Sequence, residues 1–110
     1  MFNGCRQVRY VTLSNTGNIA SMAYMFNGAT QLLEVYIEDI SNVTAMNCMF
    51  KTCRDIDTIT MKGNPSKLNV VTDMFKDTTT VGTFYYDDRY DYSKIIAELP
   101  STWTAVPITV

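Results

Sequence analysis

The chain has 110 residues with 11 acidic and 9 basic side chains, which give a formal net charge of −2, and it contains no histidine. The basic residues are scattered, so the sequence disfavours nucleic-acid binding, which needs a concentrated positive patch, and attachment to an anionic membrane. A Ser-His or Cys-His pair is excluded within this chain, and no carboxylate pair stands out, so we expect neither an enzyme nor a cofactor site.

The pair Met-Phe recurs at residues 1, 25, 49 and 74, that is, every 24 or 25 residues. A fixed period of this size predicts a solenoid, in which each unit buries its apolar face by stacking on the next. Equivalent positions then form a column, and we expect this column to lie in the core. The copies are Met1-Phe2, Met25-Phe26, Met49-Phe50 and Met74-Phe75.

Each Met-Phe pair is followed by an apolar-x-x-apolar-x-apolar frame. In the first unit the frame is Val8, Val11 and Leu13. Its last two positions alternate with polar residues, and across the units they are mostly β-branched or aromatic, which favours a short strand. The sequence therefore predicts one strand per unit, with successive strands stacked in parallel.

After each strand comes a turn rich in Ser, Asn, Gly and Asp, and the apolar period then changes. Ile19, Met22, Met25 and Phe26 follow at i, i+3, i+6 and i+7, and the next two units repeat this spacing. Such spacing is typical of about two turns of helix. Gly28 follows, where a left-handed residue often ends a helix. We expect these helices on the convex side of the solenoid.

The third unit carries a specific pattern: Val43-Thr44-x-Met46-x-x-Met49-Phe50-x-x-Cys53. Followed by Ile56-x-x-Ile59-x-Met61, it resembles the repeat of BspA-like bacterial surface proteins, a variant leucine-rich repeat of the form VTxMxxMFxxCxxLxxLxL. The resemblance covers residues 1–86, about three and a half units, with Ala29 and Thr78 at the Cys-type position. It implies an α/β leucine-rich-repeat solenoid with a short parallel concave sheet and short convex helices.

Residues 87–110 break the repeat and predict a C-terminal cap. Ser93 is a candidate N-cap for a helix that Pro100 ends. A capping helix and tail would shield the last unit, and a docking segment for another subunit is the alternative. The apolar residues of this stretch are Ile95, Ile96 and Leu99 on one helix face, and Trp103, Val106 and Ile108 in the tail.

The cysteines, the methionines and a group of aspartates each raise a possible site: a disulfide, a copper site and a calcium site, respectively. Cys5 and Cys53 lie two units apart, about 10 Å by strand spacing and beyond disulfide reach. A Cys48–Cys53 bridge is conceivable, but buried free thiols are favoured. The seven methionines could bind copper, yet each has a repeat position that favours core. The acidic residues after the last strand could hold Ca²⁺, although a solvated turn is favoured, so no metal site is predicted. They are Asp87, Asp88 and Asp91.

The outward side chains of the strands are the candidate partner-binding residues. They fall into columns on the concave face, which solenoids commonly use for binding, and tyrosine is a favoured interface anchor. The competing interpretation is that Thr and Tyr simply suit strands. Ser14, Glu38, Lys62 and Asp87 would form a further column. The candidates are Tyr10, Thr12, Glu34, Tyr36, Glu38, Thr58, Thr60, Thr83 and Tyr85.

Two functions remain open. The resemblance implies a non-catalytic adhesion module of a cell-surface or secreted protein, engaging a protein or glycan by the concave face. The alternative is a structural or assembly element, for example of a phage particle or a larger secreted protein, that contacts its neighbours through its open N-terminal repeat or its C-terminal cap, with self-association through the N-terminal repeat. This alternative follows from the position of Met1, because the sequence starts in the middle of a repeat, which suggests a fragment of a longer solenoid. The sequence shows no signal peptide and no bilayer-length apolar stretch.

Overall fold

A computed structural model describes residues 7–78 and 81–109. Five strands form one sheet in chain order, and each pairs in parallel with the next, so every passage of the chain adds one strand to the stack. The fold is a parallel-strand solenoid of about four turns, which confirms the predicted repeat. The strands are β1 (Tyr10–Leu13), β2 (Glu34–Ile37), β3 (Thr58–Met61), β4 (Thr83–Asp87) and β5 (Thr104–Ile108).

The Met-Phe column lies in the core, as predicted. The ring of Phe50 stacks on Phe26 at 5.6 Å between centroids and on Phe75 at 5.5 Å, with interplanar angles of 12° and 10°. Met25, Met49 and Met74 are buried beside them. Burial of such side chains contributes about 1.5–3 kcal/mol each, so this column stabilises the stack of units. Met1 and Phe2 lie outside the described residues.

The prediction of helices on the convex side was wrong. Residues 23–28, 47–52 and 72–77 form turns, and the helical elements of the described ranges are α1 (Ser93–Ile96) and a 3₁₀ helix (Pro65–Lys67). Amides that a helix would bond within itself donate to the next unit instead: Met22 N–H to Ala45 at 2.8 Å, and Phe26 N–H to Met49 at 3.0 Å. The chain therefore stacks a second ladder of turns behind the sheet.

Left-handed backbone positions explain why these segments cannot be continuous helices. Tyr24, Cys48 and Asp73, each just before a Met-Phe pair, have φ of 60°, 54° and 56°. A right-handed helix needs a negative φ at every residue, so each of these residues reverses the chain. The buried residues, including Met22 and Phe26, still follow the predicted spacing, because a stack of turns closed by bonds between residues three apart and a helix present apolar side chains at similar intervals.

The Cys-type position bonds neighbouring units together. Cys53 Sγ donates to the Phe26 carbonyl at 3.0 Å, and Thr78 Oγ1 donates to the Phe50 carbonyl at 2.6 Å. A thiol and a hydroxyl therefore bond to equivalent carbonyls of successive units, which accounts for Thr78 in place of cysteine. Cys48 and Cys53 are buried free thiols, as favoured, and burial raises the pKa of Cys53 to about 12. Cys5 lies outside the described residues.

The C-terminal stretch adds a strand that the sequence did not predict. β5 pairs with β4 from Thr83↔Thr104 to Asp87↔Ile108. Trp103, just before it, is buried, and its ring lies 5.9 Å from Phe75 at the end of the aromatic column. The helix α1 has only four residues. Ser93 is its first residue rather than its N-cap, and Asp91 Oδ1 accepts the Ser93 N–H at 2.9 Å.

Pro107 closes the outer edge of β5. Thr104 N–H donates to Gly82, and the Ile108 carbonyl accepts from Asp88 N–H, both at 3.0 Å. In a parallel ladder alternate residues bond to the same neighbour, so Thr104 and Ile108 face β4, while Pro107 faces away. Because proline has no N–H, a further strand cannot pair fully there.

Candidate functional site

The structure brings the predicted partner-binding residues of the strands together on one side of the sheet. The cross-strand register sets Tyr10, Glu34, Thr58 and Thr83 in one row. The second row runs beside it and consists of Thr12, Tyr36, Thr60 and Tyr85. The alternating residues Val11, Val35, Ile59 and Phe84 are buried on the opposite side. We call this exposed set the strand face: Tyr10, Thr12, Glu34, Tyr36, Thr58, Thr60, Thr83 and Tyr85.

Exposure varies along the strand face. Tyr10 is 66% exposed, and Thr12 and Glu34 are exposed, whereas Tyr36, Thr60 and Tyr85 are half-buried between their neighbours. A depression of about 210 Å³ lies over the first three strands. β5 continues both rows with Thr104 and Val106. Sequence reasoning missed those two because it did not predict that strand.

Asp87 is buried, so the prediction that it lies in an outward third column and in a solvated turn was wrong, whereas Asp88 and Asp91 are exposed as predicted. The Asp87 side chain is 0% exposed. One carboxylate oxygen accepts from Gly63 N–H at 3.1 Å and from Arg89 Nη2 at 2.7 Å, and the other accepts from Arg89 Nε at 2.9 Å. The Arg89 guanidinium lowers the pKa of Asp87 to about 2. Asp87 therefore joins the third turn to the C-terminal segment.

Tyr92 also bonds to Gly63, and we call the bonds of Asp87 and Tyr92 to this residue the clamp on Gly63. The Tyr92 hydroxyl donates to the Gly63 carbonyl at 2.6 Å, so both polar groups of Gly63 are held by the C-terminal segment. Gly63 has φ of +99°, and a Cβ there would lie 2.5 Å from Asp39 Oδ1 and 2.9 Å from Ile40 N. Only glycine fits this position, which fixes the loop that follows β3.

A cleft of about 770 Å³ lies beyond the carboxyl ends of β1 to β4, where the loops of four units meet. We call it the end cleft. Glu38, the remaining predicted candidate, lies here rather than on the strand face. Tyr36 lines both the end cleft and the depression over the strands, so the two surfaces are continuous. The side chains that decide its chemistry are Asn15, Tyr36, Glu38, Lys62, Asn64 and Tyr90.

The charges of the end cleft are nearly balanced. Glu38 Oε2 accepts the Asn15 N–H at 3.3 Å. Lys62 Nζ lies 5.0 Å from the ring centre of Tyr36, a cation–π contact. Arg89 lies 5.2 Å from the ring of Tyr90 while bonded to Asp87. Within the described ranges, no three or more Cys, Asp or Glu side chains converge as a metal site would require.

A protein family described as "Mycoplasma protein of unknown function, DUF285" matches residues 1–97. The chain belongs to this family. The DUF285 match includes β1 to β4 and α1, and it ends before β5. Comparison with curated proteins and with solved structures gave no match.

The DUF285 chain therefore presents two adjoining polar surfaces on one solenoid. Sequence reasoning located the strand face, because strand alternation shows which side chains point outward. It missed Asn15, Asn64 and Tyr90, which lie in loops whose approach depends on the stacking of the units. No helix among the described residues has the length and apolar character needed to cross a bilayer.

Proposed function

We propose that this chain is a non-catalytic binding module of a cell-surface or secreted protein, and that its strand face engages a protein or a glycan partner. One observation carries the proposal: the sheet packs one side against the core, and the other side offers two ordered rows of Tyr, Thr and Glu. A rigid sheet holds these side chains in place before the partner arrives, which lowers the entropy cost of binding.

We also propose that the units are the variant leucine-rich repeat of BspA-like surface proteins. The pattern residues of the third unit support this assignment. Val43, Met46, Met49, Phe50 and Cys53 are all fully buried. The pattern residues are thus the side chains of one unit that face the core. A stack of turns takes the place of the convex helix.

The strand face is expected to lose its partner when its tyrosines are removed. Tyr36 and Tyr85 lie in one row with Thr60 between them. Since buried tyrosines are common interface hot spots worth about 2 kcal/mol or more each, the double variant Tyr36→Ala/Tyr85→Ala should weaken binding at least about a hundredfold. The measurement is binding of the purified chain to an array of secreted and cell-surface proteins and to a glycan array.

The matched control is Tyr24→Asn on the turn side, where Tyr24 is 46% exposed and asparagine tolerates the positive φ. This variant should bind as the wild type does. Equal binding by the double variant and the wild type would contradict the strand face as the site. Failure of the wild type to bind any member of either array would contradict the binding function itself.

The assembly function is favoured by a different observation, the unequal edges of the sheet. Pro107 closes the edge at β5, whereas no strand within the described residues pairs with the outer edge of β1. Glu34 N–H donates to the Arg9 carbonyl and Glu38 N–H to the Leu13 carbonyl. The backbone of Thr12 therefore faces the open edge.

Thr12→Pro should return a self-associating chain to monomer under the assembly function, because it removes an outward N–H and spares the bonds to β2. Light scattering across protein concentration measures this. Ser101→Ala, at an exposed position, is the control and should leave association unchanged. A wild type that is monomeric at every concentration would exclude assembly through this edge.

A further inference from the structure

The end cleft has the size and the construction of a ligand site. Its volume of about 770 Å³ falls within the range of about 300–1,000 Å³ found for small-molecule sites. It lies at the carboxyl ends of parallel strands, where the loops of an open sheet converge. The clamp on Gly63 by Asp87 and Tyr92 holds one wall in place.

The chemistry of the walls selects the class of ligand. Asn15 and Asn64 carry amides, Tyr36 and Tyr90 carry hydroxyls, and Glu38 adds a carboxylate. Together they offer donors and acceptors at short intervals. A sugar hydroxyl both donates and accepts, and the C–H side of a sugar ring packs on aromatic faces. An uncharged saccharide therefore matches this lining.

The electrostatics oppose charged ligands. Glu38 and Asp39 bring two negative charges to the cleft, and Lys62 brings a positive one. The charge of Arg89 is already neutralised by Asp87 in the ion pair at 2.7 Å. An anion would meet two carboxylates. A metal cation would meet Lys62 and lack converging ligands within the described residues.

Several polar groups of the end cleft keep capacity for a ligand. Lys62 Nζ contacts the Tyr36 ring and makes no hydrogen bond within the described residues. Glu38 uses Oε2 for the Asn15 N–H, and Asn64 uses Oδ1 for the Ser66 N–H. One carboxylate oxygen of Glu38 and the amide NH₂ of Asn64 thus remain for hydroxyls, on loops already fixed by those bonds.

We propose that the end cleft binds an uncharged saccharide, such as a hexose or an N-acetylhexosamine at the end of a glycan. This inference rests on the proposed binding function and gives its ligand a class and a place. Lys62 donates to a sugar hydroxyl, Glu38 accepts from one, and the sugar ring packs near Tyr36. The rest of the glycan continues over the strand face, which Tyr36 joins to the cleft.

The test measures binding of the wild-type chain to an array of neutral, sialylated and sulfated glycans, and titration with methyl glycosides of glucose, galactose and N-acetylglucosamine. Neutral glycans should bind in preference to the charged ones. Binding of the methyl glycosides as well would place recognition on a single sugar unit, and binding of the longer glycans alone would show that the strand face adds needed contacts. Both results support the proposal.

Lys62→Met and Glu38→Gln should each weaken neutral-glycan binding about tenfold or more, because each removes a charged hydrogen-bonding partner. Lys76→Met and Asp55→Asn are the matched controls, since Lys76 and Asp55 are exposed and line neither the end cleft nor the depression over the strands. The controls should bind like the wild type. Circular dichroism of each variant confirms that it is folded.

Three outcomes would overturn the inference. A wild type that binds no neutral saccharide overturns it, and so does a preference for sialylated or sulfated glycans. Unchanged saccharide binding by Lys62→Met and Glu38→Gln, with loss in Tyr10→Ala/Tyr85→Ala, would move the ligand to the strand face. That last result would leave the proposed function intact, and binding to a protein without any saccharide would do the same.

Discussion

Phe50→Ala is expected to lower the free energy of unfolding by about 3–5 kcal/mol, the usual cost of emptying a large aromatic site in a packed core. Phe50 is fully buried and touches both neighbouring rings of the aromatic column, at 5.6 Å to Phe26 and 5.5 Å to Phe75. Its loss opens a gap in the middle of the stack. Since domains of this size are stable by about 5–15 kcal/mol in total, the variant should lose a large part of its stability.

Urea unfolding followed by circular dichroism measures this effect. Phe50→Leu keeps most of the volume and should cost less than half as much. Tyr24→Asn, on the exposed turn side, should change stability by no more than about 0.5 kcal/mol. If Phe50→Ala unfolded within about 1 kcal/mol of the wild type, the aromatic column could not be what holds neighbouring units together.

The sequence predicted the part of the fold that each unit determines by itself. Val11, Val35, Ile59 and Phe84 were aligned by counting from the Met-Phe pairs, and the structure pairs them across the strands. This worked because each unit repeats the same short apolar pattern. Stacking in register then fixes which strand residues face outward.

The turns behind the sheet could not be predicted from the same pattern. A helix and a stack of turns both place Met22 and Met25 inward. The difference lies in where amides such as Tyr24 N–H are bonded, and this one donates to Asn47 in the next unit at 3.0 Å. A hydrogen bond between units does not change the spacing of the apolar residues within one unit, so the sequence pattern does not reveal it.

β5 and Asp87 were missed for related reasons. β5 pairs Thr104 with Thr83 after 21 residues instead of 24 or 25, and it contains Pro107, so it does not fit the frame of the other strands. The burial of Asp87 depends on Gly63 in the preceding turn, 24 positions away along the chain. The end cleft is built from such contacts between loops, and of its residues only Tyr36, Glu38 and Lys62 were predicted from the sequence to face outward.

Replacing Asp87 should have the second large effect on stability. Asp87→Asn removes the charge that Arg89 and Gly63 bind, while it keeps the volume and one acceptor. Hydrogen bonds to a charged group contribute about 1.5–3 kcal/mol, and a pKa lowered from 3.8 to about 2 corresponds to a similar amount, about 2 kcal/mol. At pH 7 we therefore expect Asp87→Asn to be less stable by about 2 kcal/mol.

Acid should remove this difference, and the direction follows from the lowered pKa. A carboxyl that is more acidic in the folded state stabilises the fold fully above its ordinary value near 3.8, and the contribution is lost as the pH falls through about 2. The wild type should thus lose stability between about pH 4 and pH 2, and Asp87→Asn should lose about 2 kcal/mol less over the same range.

Urea unfolding at pH 7, at pH 4 and near pH 2 compares the wild type, Asp87→Asn and the control Asp55→Asn, whose side chain is exposed. The control should follow the wild type at every pH. Equal acid sensitivity of Asp87→Asn and the wild type would show that Arg89 and Gly63 do not stabilise the fold through this carboxylate. Lower stability of Asp87→Asn than of the wild type and Asp55→Asn at pH 7, with the difference gone near pH 2, would instead establish that one buried charge fastens the C-terminal segment to the solenoid, and with it the wall of the end cleft that Gly63 forms.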